Sequence, residues 1–484
     1  MRFPFENTFA RLPDSFYVRV DPTPVTAPQM IALNHSLAGD LGLDPESLDG
    51  ESGTAIFSGN RLPEGAEPLA AAYSGHQFGG FSPVLGDGRA ILLGELIHRD
   101  GAARDIQLKG SGPTPFSRRG DGRSALGPVL REYLVSEAMA ALGIPTTRAL
   151  AAVWSGDTVY REEVEPGGVF TRIARSHLRI GTCEYFASRG DLDSLKLLVD
   201  YALQRHYPEQ HDTESPALAL LTGVMERQAS LVARWMGVGF IHGVMNTDNM
   251  SLSGETIDYG PCAFLDRYQS SKRYSFIDRN GRYAYGNQPN IAQWNLARLA
   301  EALLPLVHSN EAKAIALVSA ELERFPELFR SFWTSVFGAK LGFSMAGPAE
   351  ATLAEDLLAL METEKIDFTL AFRHLRNSSP ENFHSLFSSP ERAQPWWSNW
   401  QARLREVGQS TDEARRIMET ANPIYIPRNH RVEEVITAGK NQDFGPFHRL
   451  HAILQHPFVE QADATEFENP PLATEEVQAT FCGT

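Results

Sequence analysis

Hydrophobic positions in the first 175 residues predict strands, with one helix among them. The apolar run over 90–96 predicts a buried strand, and the alternating run that ends at Lys109 predicts another. Apolar residues at three- and four-residue spacing between Pro128 and Gly143 predict a helix, because proline suits a first helical turn and glycine commonly follows a last one. A further strand is predicted over 169–173. The pattern therefore favours a sheet with one well-bounded helix.

Beyond residue 175 the spacing of apolar positions becomes helical. Residues 1–70 are rich in proline and predict mainly loops, and the tail after Glu460 has five acidic residues and no lysine or arginine. We predict an N-terminal extension with a mixed-strand lobe at 1–175, a mainly helical lobe at 176–460 and an acidic tail at 461–484. The helices of the second lobe are predicted over 217–236, 291–304, 312–337 and 349–376.

Composition excludes several classes of function. The chain has 484 residues and a formal net charge of -16, which argues against a nucleic-acid partner because phosphate contacts need a basic surface. No apolar run approaches the roughly 20 residues that span a bilayer, and the N-terminus lacks the apolar segment of a signal peptide. The three cysteines are too few for a disulfide framework or a zinc site. These features predict a cytoplasmic protein without a membrane partner.

The motif with the most chemistry follows the long predicted helix at 217–236. His242 and a glycine come first, Asn249 follows, and Asp258 comes nine residues after Asn249. This order resembles the catalytic and metal-binding loops of protein kinases. Mg²⁺ prefers one or two protein oxygen ligands beside phosphate and water, and Asn249 and Asp258 would supply such a pair.

Residues upstream match a nucleotide site in the same order. Gly86 and Gly88 permit close backbone approach to a ligand, and Arg89 adds a positive charge. Lys109 ends a predicted strand, where kinases place their phosphate-binding lysine. Any one of these features alone is common in turns and on surfaces, but their shared order predicts an α+β, protein-kinase-like two-lobed fold with a helical C-terminal elaboration.

The following helix offers two carboxylates as the partner of Lys109. Glu132 is the candidate that we favour, and Glu137 is its rival. Five residues separate them, which turns Glu137 about 140° away around the helix. Only one of the two can therefore face the lysine, and we predict that it is Glu132.

The motif departs from a protein kinase at the catalytic base. A kinase has an aspartate two residues after the histidine, whereas Val244 stands there and cannot accept a proton. Ordinary transfer of the γ-phosphate would lack its base. Two interpretations stay open: a catalytically silent nucleotide-binding scaffold, or an enzyme in which Asp248 takes over as the base.

Long blocks of this sequence resemble the selenoprotein O (SelO/YdiU) family, and they cover residues 73–433. The blocks are YSGHQFG, LGDGRA, QLKGSGPTPFSRRGDGR, REYLVSEAM, HGVMNTDNM, IDYGP, NIAQWNL and NPIYIPRNHRVE. The resemblance implies a pseudokinase that binds ATP in a flipped orientation and transfers AMP to Ser, Thr or Tyr hydroxyls of proteins. Transfer of UMP from UTP, usually favoured by Mn²⁺, is an alternative that these residues do not separate from adenylylation.

The resemblance also implies a role for each matching residue. Asp248 would be the general base, and Asn249 and Asp258 would hold Mg²⁺ or Mn²⁺, with Asp258 also contacting the nucleotide site. The remaining positions match the family's nucleotide site: Gly86, Gly88 and Arg89 in the loop, Lys109, Arg172 and Arg179 on the phosphates, Glu132 on the lysine, and Asp121 with Gly122 at the nucleoside end.

Several of these residues have a plainer structural interpretation. Arg172 and Arg179 could form ion pairs of little energetic value. Arg118, Arg119 and Arg123 could form another anion site or be solvated loop charges. His242 could be a buried hydrogen-bonding residue rather than a catalyst. The tryptophans at 396, 397 and 400 could be core or a docking surface.

Cys482 aligns with the C-terminal position where this family carries cysteine or selenocysteine. In some members that residue is thought to form a disulfide with a cysteine in the activation-loop region. The corresponding region here, 265–285, contains no cysteine, and Cys262 is the nearest. The resemblance therefore suggests a Cys482–Cys262 latch, with free thiols as the alternative.

Overall fold

The computed structural model describes residues 1–376 and 380–481. The strands are β1 Tyr17–Arg19, β2 Gln29–Leu33, β3 Leu69–Ala71, β4 Gly75–Gln77, β5 Gly80–Ser82, β6 Ala90–Ile97, β7 Ala103–Lys109, β8 Ser124–Ala125, β9 Arg148–Tyr160, β10 Val164–Ala174, β11 Phe240–Ile241 and β12 Ala263–Phe264. The α-helices are α1 His35–Asp40, α2 Pro45–Leu48, α3 Glu51–Phe57, α4 Leu126–Ala141, α5 Ile180–Ala187, α6 Leu192–His206, α7 Pro216–Gly237, α8 Gln288–Val307, α9 Glu311–Leu322, α10 Phe325–Lys340, α11 Pro348–Glu364, α12 Phe368–Arg376, α13 Pro380–His384, α14 Pro390–Glu406, α15 Thr411–Ala421, α16 Asn429–Lys440 and α17 Gly445–Leu454.

An antiparallel sheet occupies the N-terminal part of the chain. Its strand order is β1-β3-β6-β7-β10-β9-β2, with β8 paired to β10. The predicted strands at 90–96 and at Lys109 are confirmed as β6 and β7, and the strand at 169–173 is the C-terminal half of β10. The loop-rich interpretation of 1–70 was incomplete, because this part contains the short helices α1–α3 and two segments that pair at the edges of the sheet as β1 and β2.

Helix α4 has the predicted position and is buried on nearly every side. One face packs on β9 and β10, and another packs on α16 and α17 from the C-terminal part of the chain. Tyr133 of α4 and Phe447 of α17 lie in the same core, with ring centroids 5.4 Å apart. Because α4 is packed on both sides, it is a rigid support for the buried charged residues that it carries.

Helices dominate after residue 180, as predicted, and the helices over 217–236 and 291–304 are confirmed as α7 and α8. Two other predicted helices are each divided. The segment 312–337 breaks between α9 and α10, where Pro326 begins the second helix. The segment 349–376 breaks at Lys365, which has a left-handed φ of 56° and caps α11.

The acidic tail lies against the segment that follows Asp258. Thr480 Oγ1 donates a hydrogen bond to the carbonyl of Pro261 at 2.6 Å, and the rings of Phe481 and Phe276 lie 5.0 Å apart. Cys482, and with it the suggested latch to Cys262, lies outside the described residues. Within the described chain, no helix is long and apolar enough to cross a membrane.

Lys340, at the end of α10, is a buried cation whose replacement should stabilise the protein. Its side chain is enclosed among aromatic rings, with Nζ 4.2 Å from the ring centroid of Phe372, and burial lowers the pKa of its ammonium to about 7. The unfolded chain, with a lysine pKa near 10.4, binds more protons than the folded chain between these values. Stability should therefore rise with pH from about 7 to 10.

We expect Lys340→Met to raise the free energy of unfolding at pH 7 by roughly 1–4 kcal/mol. The difference from wild type should shrink towards pH 10, because the lysine is then neutral in both states. Urea unfolding at several pH values, monitored by tryptophan fluorescence, measures this difference in the free energy of unfolding. The control is the same substitution at the exposed Lys313 of α9. A Lys340→Met difference that stays constant with pH would contradict the lowered pKa of Lys340.

Candidate active site

A cleft of about 770 Å³ collects most of the predicted site residues. Eight of them line it, and the other four lie buried behind that lining. The lining residues are Gly86, Gly88, Arg89, Asp121, Gly122, Asp248, Asn249 and Asp258, and those behind it are Lys109, Glu132, Arg172 and Arg179.

Lys109 ends β7 and contacts a carboxylate of α4. Its Nζ donates to Glu132 Oε2 at 2.6 Å, as the helical spacing predicts. Glu137 lies on another side of α4, where its carboxylate accepts hydrogen bonds from the Arg148 guanidinium at 2.8 and 2.7 Å. The long strand β7 and the rigid helix α4 thus hold the buried lysine and its partner together.

Asp258 connects this buried pair to the cleft. Lys109 Nζ also contacts its carboxylate, and Arg172 Nη1 lies 3.5 Å from Asp258 Oδ1 and 3.3 Å from Glu132 Oε1. Burial alone would raise the pKa of the Asp258 carboxyl, but the charges of Lys109 and Arg172 overcome this effect and hold it well below its ordinary value. Asp258 is therefore a carboxylate, and its backbone has the uncommon left-handed φ of 69°.

Asp248 is the more deeply buried acid of the cleft. It lies on a short 3-10 helix over Thr247–Asn249, and Arg179 Nη1 donates to its backbone carbonyl at 3.1 Å. The Arg179 guanidinium also lies over the ring of Tyr73, 4.2 Å from its centroid. Burial raises the pKa of the Asp248 carboxyl to about 6, although the charge of Arg179 acts in the opposite direction. Its Oδ1 is buried and has no hydrogen-bond partner among the described residues.

The oxygen donors of the cleft suit a hard divalent cation. The amide nitrogen of Asn249 donates to the carbonyl of Val244 at 3.0 Å, which leaves its amide oxygen as the acceptor. The carboxylate of Asp258 lies in the same lining, and the unpartnered Asp248 oxygen is close by in the sequence. One carboxylate and one amide oxygen match the preference of Mg²⁺ and Mn²⁺ for oxygen ligands. The residues present therefore fit such an ion.

The predicted nucleotide loop packs tightly against the segment after Lys109. Gly86 has a φ of 62°, and a Cβ built on it would lie 2.3 Å from the ring of Phe116. A Cβ on Gly88 would lie 2.9 Å from the Phe116 carbonyl. Glycine is thus required at both positions, because Phe116 approaches them closely. Arg89 is half-exposed in the lining.

Asp121 is an exposed part of the lining, and Gly122 beside it is buried. The Asp121 carboxylate is 44% exposed and pairs with Arg161 at 3.0 Å. Gly122 has a φ of 65°, and a Cβ there would lie 2.1 Å from the backbone of Gly112. The loop therefore presents an exposed carboxylate on a backbone that only glycine fits.

Two plainer interpretations are confirmed. His242 is fully buried, where its Nε2 lies 2.9 Å from the carbonyl of Ile257, and burial lowers the pKa of its imidazole. It is a scaffold residue that joins the loops of Asp248 and Asp258. Trp396, Trp397 and Trp400 are buried in the helical core, so they form no cofactor site.

Comparison with known proteins identifies the family. The profile of the family described as protein adenylyltransferase SelO matches residues 1–455. The chain belongs to the SelO family. Relatives named protein nucleotidyltransferase YdiU include proteins of Methylorubrum populi, 56% identical over 100% of this chain and 99% of the relative, and of Rhodopseudomonas palustris, 54% identical over 100% of both. The Agrobacterium fabrum protein of that name is 55% identical over 99% of both.

Sequence reasoning missed the residues that hold the Asp248 loop in this SelO family member. Gln77 Nε2 donates to Asp248 Oδ2 at 3.3 Å, and the backbone N–H of His76 donates to Thr247 Oγ1 at 2.7 Å. Thr247 in turn donates to the buried carboxylate of Glu184, which also contacts the His76 ring. The block YSGHQFG resembled the family, but its contact with a loop 171 residues away is not visible in the sequence.

Proposed function

We propose that this protein transfers AMP from ATP to Ser, Thr or Tyr hydroxyls of other proteins. Membership of the SelO family supports a nucleotidyltransferase. The observation that carries the proposal is the composition of the cleft, where Asp248, Asn249 and Asp258 lie in front of buried cations. Such a site binds a polyphosphate and offers a carboxylate to an attacking hydroxyl.

The buried cations would receive the far end of the triphosphate. Lys109 and Arg172 meet at Asp258 from behind the lining, so phosphates beside Asp258 would meet their positive charge. We propose that the nucleotide binds with its phosphates inward, towards Lys109, Arg172 and Arg179. Gly86, Gly88 and Arg89 would contact its phosphates from the loop, and Asp121 with Gly122 would contact the nucleoside at the mouth.

Asp248 would act as the general base. Val244 lies in the cleft lining at the position of a kinase base and has no group that accepts a proton. Asp248 Oδ1 is buried and has no hydrogen-bond partner among the described residues, so a hydroxyl that reaches it would satisfy it, and Gln77 orients the other oxygen. The hydroxyl would lose its proton to Asp248 as its oxygen attacks the α-phosphorus and pyrophosphate leaves.

Asn249 and Asp258 would hold a divalent cation, Mg²⁺ or Mn²⁺. When bound, such an ion would supply charge neutralisation to the phosphate oxygens. Lys109 and Arg172 hold Asp258 in place from behind, and Val244 anchors the amide of Asn249. These contacts fix the two oxygen donors before any ligand arrives, which lowers the cost of ordering them on binding.

We further propose a protein-kinase-like, two-lobed arrangement with a boundary near residue 175. The antiparallel sheet ends with β10 at Ala174, and the helical part begins with α5 at Ile180. The buried Lys109–Glu132 pair joins a strand to a helix in the first part, while Asn249 and Asp258 come from loops of the second. The later helices of the second part would form the C-terminal elaboration, and the described tail residues 461–481 would lie on its surface.

Parallel incubations with α-³²P-ATP and γ-³²P-ATP test the transferred group. We expect label on protein from the α position alone, because the leaving pyrophosphate carries the γ-phosphate away. An α-³²P-UTP arm with Mn²⁺ measures the uridylyl alternative. Protein labelled from γ-³²P-ATP would overturn the inward orientation of the phosphates, and the absence of label from any nucleotide would favour a silent nucleotide-binding scaffold.

A further inference from the structure

The hairpin formed by β4 and β5 carries an exposed aromatic surface next to Asp248. Its two-residue turn consists of Phe78 and Gly79, with φ values of 53° and 88°. Two positive φ values characterise the type I′ turn, which favours asparagine followed by glycine. A bulky residue in the left-handed region is strained, so Phe78 occupies this place at the expense of stability.

Complete burial of the side chain does not compensate for the backbone strain at Phe78. Its side chain is 38% exposed and lines the cleft, and its ring packs on one side against Tyr283 with centroids 5.1 Å apart. Phe81 on the returning strand is 44% exposed and packs against the ring of His76 with centroids 4.9 Å apart, just outside the lining of the cleft. Backbone strain that supports an exposed aromatic residue beside a reactive site is typical of a ligand contact.

The base of the hairpin is fixed to the Asp248 loop. The backbone N–H of Phe78 donates to Asn246 Oδ1 at 3.0 Å, and the adjacent Gln77 donates to Asp248 itself. The carboxylate of Glu184 ties His76 to Thr247 below the turn. A group that rests on Phe78 is therefore held at a set distance from the oxygens of Asp248.

The cleft that Phe78 lines also carries basic residues. Arg118 and Arg119 line the cleft and are exposed, and the guanidinium of Arg282 lies beside Gly79. Arg118 and Arg119 form none of the ion pairs found in the described part of the chain, and the half-buried guanidinium of Arg282 stacks over the ring of Trp294, 4.6 Å from its centroid. Two further apolar residues, Tyr160 and Ile277, line the same cleft and are 74% and 55% exposed.

We propose that the β4–β5 hairpin is the docking site for the protein acceptor, and that it selects a hydroxyl flanked by an aromatic or aliphatic residue and by acidic residues. The apolar flank would rest on Phe78 and Phe81, and the acidic residues would face Arg118, Arg119 and Arg282. This inference rests on the proposed function, because it names the acceptor of the same site. The hairpin places the acceptor hydroxyl at Asp248 while the nucleotide occupies the interior of the cleft.

Binding of three fluorescein-labelled peptides, followed by fluorescence anisotropy without nucleotide, tests the specificity. The first has a central serine flanked by leucine and phenylalanine, with glutamates at both ends. The second has lysines in place of the glutamates, and the third has glycines in place of the leucine and phenylalanine. We expect the first to bind at least about tenfold more tightly than the others, which corresponds to about 1.4 kcal/mol. Equal binding of the three, or no binding of the first, would overturn the proposal.

Substitutions on the hairpin separate docking from folding. Phe78→Asn introduces the residue that the turn prefers, so the melting temperature should not fall while affinity for the first peptide falls at least about tenfold. Phe81→Ala should also weaken binding, and Phe78→Tyr should retain it. Met345→Ala, at a side chain that is 87% exposed in the helical part, is the control and should bind like wild type. Unchanged affinity in both Phe78→Asn and Phe81→Ala would overturn the proposal.

Labelling of the same peptide with α-³²P-ATP distinguishes this inference from the proposed function. Selective binding of the first peptide without label would leave the docking site standing and contradict transfer. Label on the peptide at equal rates in wild type and Phe78→Asn would leave transfer standing and contradict the docking site. ATP affinity, measured by calorimetry, should stay within about twofold in the hairpin variants, because Phe78 contacts the acceptor rather than the phosphates.

Discussion

Asp258→Ala should lower transfer of label from α-³²P-ATP to protein by about 10³-fold or more. The variant removes the carboxylate that, in our proposal, holds the divalent cation, and the charge that this ion neutralises is worth several kcal/mol in phosphoryl chemistry. It also leaves Lys109 and Arg172 without one of their two shared carboxylates. Initial rates of protein labelling at saturating ATP and Mg²⁺ or Mn²⁺ measure the loss.

Two controls separate this loss from misfolding. Asp258→Asn keeps the volume of the side chain but not its charge, and its melting temperature reports whether the buried ion cluster survives. Asp212→Ala changes an aspartate that is fully exposed in a surface loop, and it should transfer label at the wild-type rate. Full activity of Asp258→Ala would remove Asp258 from the proposed metal site.

Asp248→Asn should lower the transfer rate by about 10²–10⁴-fold, the range for a general base. The amide fits the space of the carboxylate and cannot accept the proton of the attacking hydroxyl. The affinity for ATP should change little, because Asp248 is proposed to contact the acceptor rather than the phosphates. Rapid-quench labelling gives the rate, and calorimetry gives the ATP affinity.

The two aspartate variants should differ in whether they change nucleotide binding or only the rate of transfer. Asp258→Asn should weaken the binding of the nucleotide with its metal ion, whereas Asp248→Asn should change only the rate. Asp212→Asn is the shared control at an exposed position. A wild-type rate in Asp248→Asn would mean that Asp248 is only a neighbour of the true ligand Asn249, and another group would have to take the proton.

Elements in which apolar residues follow a clear pattern could be predicted from the sequence. Strand β6 is an almost uninterrupted apolar run, and helix α7 repeats apolar residues at helical spacing over 22 residues. Strand β9 escaped prediction because its first half is rich in small residues and its second half carries Gly156 and Asp157, which are typical of turns. Its pairing with β10 and β2 supplies the hydrogen bonds that overcome this weak local preference.

The candidate site was also predictable in part. The spacing along α4 showed that only one of Glu132 and Glu137 can face Lys109, because both residues lie on one helix, and the structure confirms the choice of Glu132. The contact of Gln77 with Asp248 could not be predicted from the sequence, and neither could the exposed surface of Phe78. Both depend on how a hairpin from the N-terminal part packs against a loop 171 residues later.

The sequence alone determined the types of the main elements, the chemistry of the site residues and the family, because periodicity, spacing and long motifs are local properties. The tertiary structure decided which of those residues share a cleft and which lie behind it. Lys109 and Asp258 are 149 residues apart, and the ion cluster that they form exists only once the sheet, α4 and the helical part have packed. Contacts of that range follow from the global burial of apolar surface, which no short segment encodes.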